Sequence, residues 1–154
     1  IAHHTIYLET PYFIPDKSFI DALLIAKLSG VDINLVIPGV PDKKTVYHVT
    51  YSYLEELLKA GINVYLYPGF IHSKMVVCDD RVASIGTANL DVRSFSMNFE
   101  VTALMFGKKE VIETIQIAVN DISKSHKLTY LEYKNRPKKD KIQEHLFRLC
   151  APLM

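Results

Sequence analysis

The chain has 154 residues, 49% of them hydrophobic, and a formal net charge of +1 at pH 7, which suits one globular domain and excludes a disordered or fibrous protein. No apolar run approaches the roughly 18 residues that cross a membrane, and no signal peptide is visible. Cys78 and Cys150 lack metal-binding or redox spacing, so a reduced compartment is the default. The segment 124–148 holds eight Lys or Arg against three Asp or Glu, which predicts a solvated helix face or a surface for anionic lipid or a phosphorylated substrate.

Strands and helices are predicted to alternate over the first half of the chain. The β-branched and aromatic residues of 5–14 predict a strand that ends at Pro11 or Phe13, and Asp16 is a candidate cap for a helix that ends at Gly30. A strand, a helix closed by Gly61 and a further strand are then predicted over 31–38, 44–60 and 62–68. This order favours right-handed crossovers and parallel pairing of the strands.

The second half changes the character of the sheet. Two adjacent apolar strands within 71–89 predict a hairpin, so the sheet should be mixed. A sixth strand is predicted over 99–107, helices over 108–124 and 138–149, and a linker-like segment over 132–141. We expect one domain over residues 1–154, an α/β fold built as a three-layer α/β/α sandwich.

The hairpin carries polar residues in the stretch "FIHSKMVVCDDRVASIGTANLDVRS" (70–94). His72 and Lys74 share a face of a strand because side chains alternate. A two-residue turn at Asp80-Arg81 would place His72 opposite Asn89 and Lys74 opposite Thr87. "DDRV" lacks the glycine that tight hairpin turns prefer, so a longer loop or a bulge would shift this register.

These residue types suit phosphate chemistry. A neutral imidazole is a nucleophile or base near pH 7, and a protonated one is an acid. An ammonium and an amide are donors for the non-bridging oxygens of a phosphate. The set does not resemble a metal-ligand cluster, and the Gly-rich loop of a nucleotide site is missing, so we predict neither metal nor cofactor.

The orientation of His72 requires a hydrogen-bond partner for its second ring nitrogen. In "NFEVT", Glu100 lies on the polar face of a predicted strand whose other face is apolar. Asp79 is an odd number of residues from His72, so it would lie on the opposite face of its strand, and its place at the strand end suits the turn. We therefore predict that Glu100 orients His72 and that Asp79 is structural. Taken singly, His72 could equally be structural, Lys74 could reach solvent along its alkyl stem, and Asn89 could be a turn residue.

The spacing "HSKMVVCD", six residues, then "GTAN" resembles the His-x-Lys-x4-Asp-x6-Gly-Ser/Thr-x-Asn signature of the phospholipase D superfamily. The segments "TPYFIPD", "NLDVRSFSMNFEV" and "RLCAPL" extend the similarity to the C-terminal catalytic half of bacterial cardiolipin synthases. The resemblance covers nearly the whole chain.

The resemblance implies an α/β/α sandwich and an active site shared by two such motifs, one in each half. One histidine attacks phosphorus to give a phosphohistidine, and the other protonates the leaving group. The product is cardiolipin, made from two phosphatidylglycerol molecules with release of glycerol and without a metal. Carried over to this chain, the catalytic residues are His72, Lys74, Asp79, Asn89 and Glu100, and the substrate-binding residues are Thr87, Arg93 and Ser94.

Departures from the family pattern shape the remaining expectations. Only one His-x-Lys occurs, and the expected transmembrane helices are missing, so we interpret the chain as a soluble fragment of a bacterial membrane enzyme. The first-half histidine is usually the nucleophile, which favours His72 as the general acid. The expected partners are phosphatidylglycerol, anionic membrane lipid and the upstream half, or a second copy of this chain.

Two alternatives remain open at the level of sequence. One is a phosphodiesterase or nuclease of the same superfamily that dimerises to build its site, although the chain lacks the basic–aromatic interleaving typical of nucleic-acid binding. The other is a non-catalytic lipid- or protein-binding module that keeps half a site.

Overall fold

The computed structural model describes residues 2–149. Its strands are β1 (Thr5–Glu9), β2 (Phe13–Ile14), β3 (Asp32–Pro38), β4 (Asn63–Tyr67), β5 (Met75–Cys78), β6 (Val82–Gly86), β7 (Leu90–Asp91), β8 (Thr102–Met105) and β9 (His126–Leu128). Its helices are α1 (Lys17–Leu28), α2 (Lys44–Lys59), α3 (Val92–Ser96), α4 (Lys108–Lys124), α5 (Tyr130–Lys134) and α6 (Lys138–Arg148). Cys150 and most of the "RLCAPL" segment lie outside the described residues.

Seven strands form one mixed sheet in the order β8-β6-β5-β1-β3-β4-β9. Strands β1, β3 and β4 pair in parallel, whereas β5, β6, β8 and β9 join antiparallel. The short strands β2 and β7 pair in parallel as a separate two-stranded sheet. The predicted mixed sheet and α/β fold class are therefore confirmed.

Helices cover both faces of the sheet. On one face, Leu8 and Leu35 pack with Leu23 of α1 and Leu54 of α2 in one apolar cluster. On the other face, side chains of β5 and β6 pack with Val111 and Ala118 of α4 in a second cluster. Alternation along the strands thus sends successive side chains into two helical layers, which produces the predicted α/β/α sandwich.

Local signals set the helix ends where they were predicted. The Asp16 carboxylate accepts the backbone N–H of Phe19 at 2.8 Å and caps α1. Gly30 and Gly61 follow α1 and α2 with φ of +91° and +80°, a conformation that glycine adopts at no steric cost. Helix α4 spans the predicted residues, Lys108–Lys124.

Three sequence expectations were wrong in detail. The strand predicted to run from residue 5 to Pro11 or Phe13 ends earlier, at Glu9, because Pro11 lacks the N–H needed to continue the ladder, and Phe13 belongs to the separate strand β2. The segment 132–141 is mostly helix rather than linker, since it contains the end of α5 and the start of α6. Strand β9 was not predicted, although it closes one edge of the sheet against β4.

The hairpin register also differs from the predicted one. Met75 pairs with Ile85 and Cys78 with Val82, one residue out of step with a two-residue turn at Asp80-Arg81. The turn has three residues and begins at Asp79, whose φ is +54°. The predicted pairing of Lys74 with Thr87 is therefore wrong, because the carbonyl of Lys74 accepts the N–H of Gly86 at 3.2 Å. The paired strand also begins only at Met75, so His72 does not pair with Asn89.

Candidate active site

His72 and Lys74 lie on the irregular segment that leads into β5. The His72 side chain is exposed, and its ring centroid lies 5.6 Å from that of Phe70. The ammonium of Lys74 donates to the backbone carbonyl of His72 at 2.9 Å. Partial burial lowers the pKa of Lys74, and the nearby charges of Glu100 and Asp91 oppose that shift. The segment thus joins an accessible imidazole to a half-buried ammonium that faces acidic groups.

Asn89 and Ser94 meet where β7 leads into α3. The backbone N–H of Asn89 donates to the hydroxyl of Ser94 at 3.2 Å, and Asp91 caps α3 by accepting the Ser94 N–H at 2.6 Å. Ser94 is buried, and so is the side-chain oxygen of Asn89, which has no hydrogen-bond partner among the described residues. This oxygen is an acceptor without a donor.

Glu100 does not hydrogen-bond to His72 in the structure, contrary to the sequence prediction. Its carboxylate accepts the hydroxyl of Thr87 and, at 3.1 Å, the amide of Asn98. These hydrogen bonds lower the pKa of Glu100. The reason is topological: Thr87 donates its backbone N–H to Val101 at 2.9 Å, which continues the β6–β8 ladder and places Thr87 beside Glu100.

Asp79 lies at the turn of the hairpin, at the opposite end of β5 from His72 and Lys74. Its carboxylate accepts the backbone N–H groups of His3, His4 and Thr5 at 2.8, 2.9 and 2.8 Å. Burial raises the pKa of Asp79, but the three hydrogen bonds outweigh it and bring the pKa to about 2. The residue completes the motif in sequence while anchoring the start of β1 in space, so its inclusion among the catalytic residues is not supported by the geometry.

A polar pocket of about 250 Å³ opens beside Asn89. Arg93, on α3, lines it and donates to the side-chain oxygen of Asn98 at 3.4 Å. Tyr12 and Lys43 line it as well, from loops far away in sequence. We define the polar pocket by the residues Tyr12, Ile14, Lys43, Thr45, Val46, Asn89, Asp91, Arg93 and Asn98. Sequence reasoning missed Tyr12, Lys43 and Asn98, and the only signal for Tyr12 was its place in "TPYF".

A second cleft, lined by Lys74, has a more apolar character. It has a volume of about 250 Å³ and is lined by Lys74 together with Phe19 and Phe95. A larger cavity of about 370 Å³ near Asp16 and Arg148 contains none of the predicted site residues. Lys74 therefore lines the apolar cleft, whereas Asn89 lines the polar pocket.

Glu9 is a further buried acid that sequence reasoning missed. It is 1% exposed, and neither carboxylate oxygen has a hydrogen-bond partner by distance and angle among the described residues. Burial raises its pKa, and the neighbouring Ser73 hydroxyl opposes that shift. Its signal was a charge at the end of the apolar strand "TIYLE".

Metal-binding clusters and membrane-spanning helices are both absent from the described part of the chain. Residues 2–149 contain no group of three or more His, Cys, Asp or Glu side chains placed to hold a metal ion. Within the same range, no helix has both the length and the apolar character needed to span a bilayer.

Known proteins provide a direct comparison for this arrangement. The family described as "Cardiolipin synthase, PLD-like domain" matches residues 1–122. The major cardiolipin synthase ClsA of Bacillus subtilis is 49% identical over 154 residues, which cover 99% of this chain and 32% of the relative. Cardiolipin synthase 1 of Staphylococcus aureus is 46% identical over 155 residues, which cover 99% of this chain and 31% of the relative. The chain spans about a third of the length of these relatives.

Solved structures share the fold at low sequence identity. Nuc, a phospholipase D family member from Salmonella typhimurium, superposes with a TM-score of 0.70 at 17% identity, covering 83% of this chain and 84% of that chain. Phosphatidylserine synthase from Haemophilus influenzae superposes with a TM-score of 0.77 at 17% identity, covering 99% of this chain and 40% of that chain. The family match over residues 1–122 and the fold agree, and the chain belongs to the phospholipase D-like domain family of cardiolipin synthases.

Proposed function

We propose that the chain is one catalytic half of a phosphatidyltransferase that makes cardiolipin from two phosphatidylglycerol molecules and releases glycerol. The observation that carries the proposal is the 49% identity with a cardiolipin synthase across a segment that presents an exposed imidazole, His72, beside the ammonium of Lys74. These groups match the needs of a reaction in which a phosphate diester is attacked and its leaving oxygen is protonated.

The reaction proceeds in two steps, transfer of the phosphatidyl group to a histidine and its transfer to the second lipid. A neutral histidine from the other half attacks the phosphorus of the first lipid, so a P–N bond forms while the P–O bond to glycerol breaks. Protonated His72 gives its proton to the departing oxygen. His72 then takes a proton from a glycerol hydroxyl of the second lipid, whose oxygen attacks phosphorus and breaks the P–N bond. Two phosphatidylglycerol molecules thus yield one cardiolipin and one glycerol.

Lys74 and Asn89 serve the phosphate in this scheme. An ammonium and an amide N–H stabilise the non-bridging oxygens, where negative charge accumulates in the transition state. Glu100, held by Thr87 and Asn98, keeps a negative charge near Lys74 and favours its protonated form. Arg93 lines the adjoining polar pocket, and the Ser94 hydroxyl accepts the backbone N–H of Asn89.

The second motif comes from outside this chain, either from an upstream half of the same polypeptide or from a second copy. An exposed apolar surface beside the site supports such a partner, since Met97, Phe99, Val101 and Phe106 are between 71% and 107% exposed. The lipid substrates imply that the complete enzyme works at the membrane surface. The basic segment 124–148 is partly structural, because its Arg136 pairs with the buried Glu144.

The test replaces the matching segment of the Bacillus subtilis synthase with this chain, which is 49% identical to it over 154 residues. The chimera should make cardiolipin from phosphatidylglycerol vesicles. His72→Ala should lower the rate by about 10²–10⁴, because a proton-transfer group is lost. His145→Ala is the matched control, since His145 is exposed and lies on α6 outside the site. Equal activity of the two variants would refute the catalytic role of His72.

A further inference from the structure

The polar pocket adjoins the candidate catalytic residues but has no defined ligand in the proposed reaction. Its volume of about 250 Å³ lies just below the range of typical small-molecule sites, which begins near 300 Å³. A lipid headgroup fits such a space, whereas a long acyl chain does not. Tyr12 connects the pocket to the reaction centre, because its ring centroid lies 6.3 Å from that of Phe70, which in turn contacts His72.

The charges that line the polar pocket favour an anion. Neither Lys43 nor Arg93 forms an ion pair with any described residue. The one lining acid, Asp91, already uses a carboxylate oxygen to cap α3. The first turn of α2 also borders the pocket and has no side-chain cap, so its partial positive charge adds to those of the two cations. Among the lining side chains, two cations thus face one carboxylate, and a second carboxylate, Asp42, accepts the hydroxyl of the lining Tyr12 at 2.5 Å.

The side chain of Asn89 favours a ligand that carries a hydroxyl group as well as a phosphate. Its side-chain oxygen is shielded from solvent and has no donor among the described residues, so turning the amide toward the pocket breaks no hydrogen bond of that oxygen and exposes it to a donor. A phosphate diester carries no hydrogen to donate, but a glycerol hydroxyl does. The hydroxyl of Tyr12 already donates to Asp42 and is therefore left as an acceptor in the wall. The lining thus offers cations for a phosphate and free acceptors for hydroxyl groups.

We propose that the polar pocket binds the glycerophosphate headgroup of the acceptor lipid, with Lys43 and Arg93 on the phosphate and Asn89 accepting from a glycerol hydroxyl. This assignment rests on the proposed function, because it names the place from which the second phosphatidylglycerol attacks. It adds Lys43 and Tyr12, which come from loops before α2 and α1, to the residues that recognise substrate.

The direct test is an NMR titration of the labelled chain with glycerophosphoglycerol, the deacylated form of the lipid headgroup. Amide signals of 43–46 and 89–93 should shift, and dimethyl phosphate, a diester of the same charge without a hydroxyl, should bind at least about tenfold more weakly, since one hydrogen-bonded hydroxyl contributes about 1.4 kcal/mol. Equal affinity for dimethyl phosphate and glycerophosphoglycerol, or no shift at these amides, would overturn the assignment.

Charge variants identify the residues involved. Lys43→Ala and Arg93→Ala should each weaken glycerophosphoglycerol binding about tenfold or more. Lys44→Ala is the matched control, because Lys44 has the same charge, is exposed and does not line the pocket. Equal weakening by Lys43→Ala and Lys44→Ala would indicate general charge attraction and would overturn the inference.

The same variants in the chimera separate this inference from the proposed function. If transfer requires His72 but Lys43→Ala and Arg93→Ala leave KM unchanged, the pocket assignment fails and the function stands. If the headgroup binds as described but the chimera makes no cardiolipin, the function fails and the binding site stands. Raised KM in both lining variants, with Lys44→Ala unchanged, supports both.

Discussion

Replacing Asp79 tests whether this residue of the motif is structural rather than catalytic. Asp79 is 8% exposed, and its carboxylate accepts three backbone N–H groups from the start of β1. A pKa lowered from 3.8 to about 2 corresponds to about 1–2 kcal/mol of stability once solvent screening is allowed for. Asp79→Asn should lose about that amount. Asp79→Ala should lose about 1–2 kcal/mol more, since alanine tolerates the φ of +54° poorly.

Urea unfolding measures both variants, with Asp80→Asn as the control because Asp80 is exposed in the same turn. The pH dependence is a second readout. A lowered pKa in the folded state gives stability that is present above the unfolded pKa of 3.8 and is lost as pH falls toward 2. Asp79→Asn should remove this component. Equal stability of the Asp79 and Asp80 variants would refute the anchoring role, and loss of transfer by a folded Asp79→Asn chimera would show that the residue is catalytic.

Three further predictions concern Glu9, Thr87 and the isolated chain. The raised folded-state pKa of Glu9 gives stability that is lost as its carboxyl ionises, so the free energy of unfolding should fall as pH rises above about 4.5. Glu9→Gln should make this fall less steep. Urea unfolding from pH 4 to 8 measures the slope, and an unchanged slope in the variant would contradict the prediction. Thr87→Val should raise the pKa of Glu100 by removing a hydrogen bond to its carboxylate, as read from carboxyl carbon shifts in NMR; an unchanged pKa would show that this bond is not formed in solution. As a monomer, the isolated chain should make no cardiolipin, because one His72 cannot act as both nucleophile and general acid. Any weak turnover should increase with the dimer concentration measured by light scattering. Turnover by a strict monomer would contradict this prediction.

Local sequence signals predicted much of the fold. The cap at Asp16 and the glycines at 30 and 61 act within one helical turn, so the sequence alone places the ends of α1 and α2. Strand β9 has only three residues and forms because the edge of β4 is available to it. That pairing joins distant parts of the chain and leaves no local pattern.

Only the part of the candidate site that follows a motif spacing in the sequence could be predicted. His72, Lys74 and Asn89 were predicted from their spacing and family resemblance, and their roles stay predictions. The partner of Glu100 was predicted wrongly because strand parity was extended to residues that lie outside strands, since β5 begins at Met75 and β8 at Thr102. The register failed because Asp79 adopts its positive φ with the help of N–H groups more than 70 residues away in sequence.

The polar pocket shows the same limit of local reasoning. Lys43 reaches it from the loop before α2, and Arg93 reaches it from α3. No periodicity or motif spacing connects these two positions, because only the packing of the two elements brings them together.

The most direct test of the central claim is the product balance of the chimera that carries this chain. Radiolabelled phosphatidylglycerol in vesicles is followed until it is consumed, and cardiolipin, phosphatidate and free glycerol are quantified together. Phosphatidyl transfer predicts one cardiolipin and one glycerol for every two phosphatidylglycerol molecules, little phosphatidate, and formation of all products about 10²–10⁴ times slower in His72→Ala. Phosphatidate formed in place of cardiolipin, or cardiolipin formation that is unaffected by His72→Ala, would contradict the account.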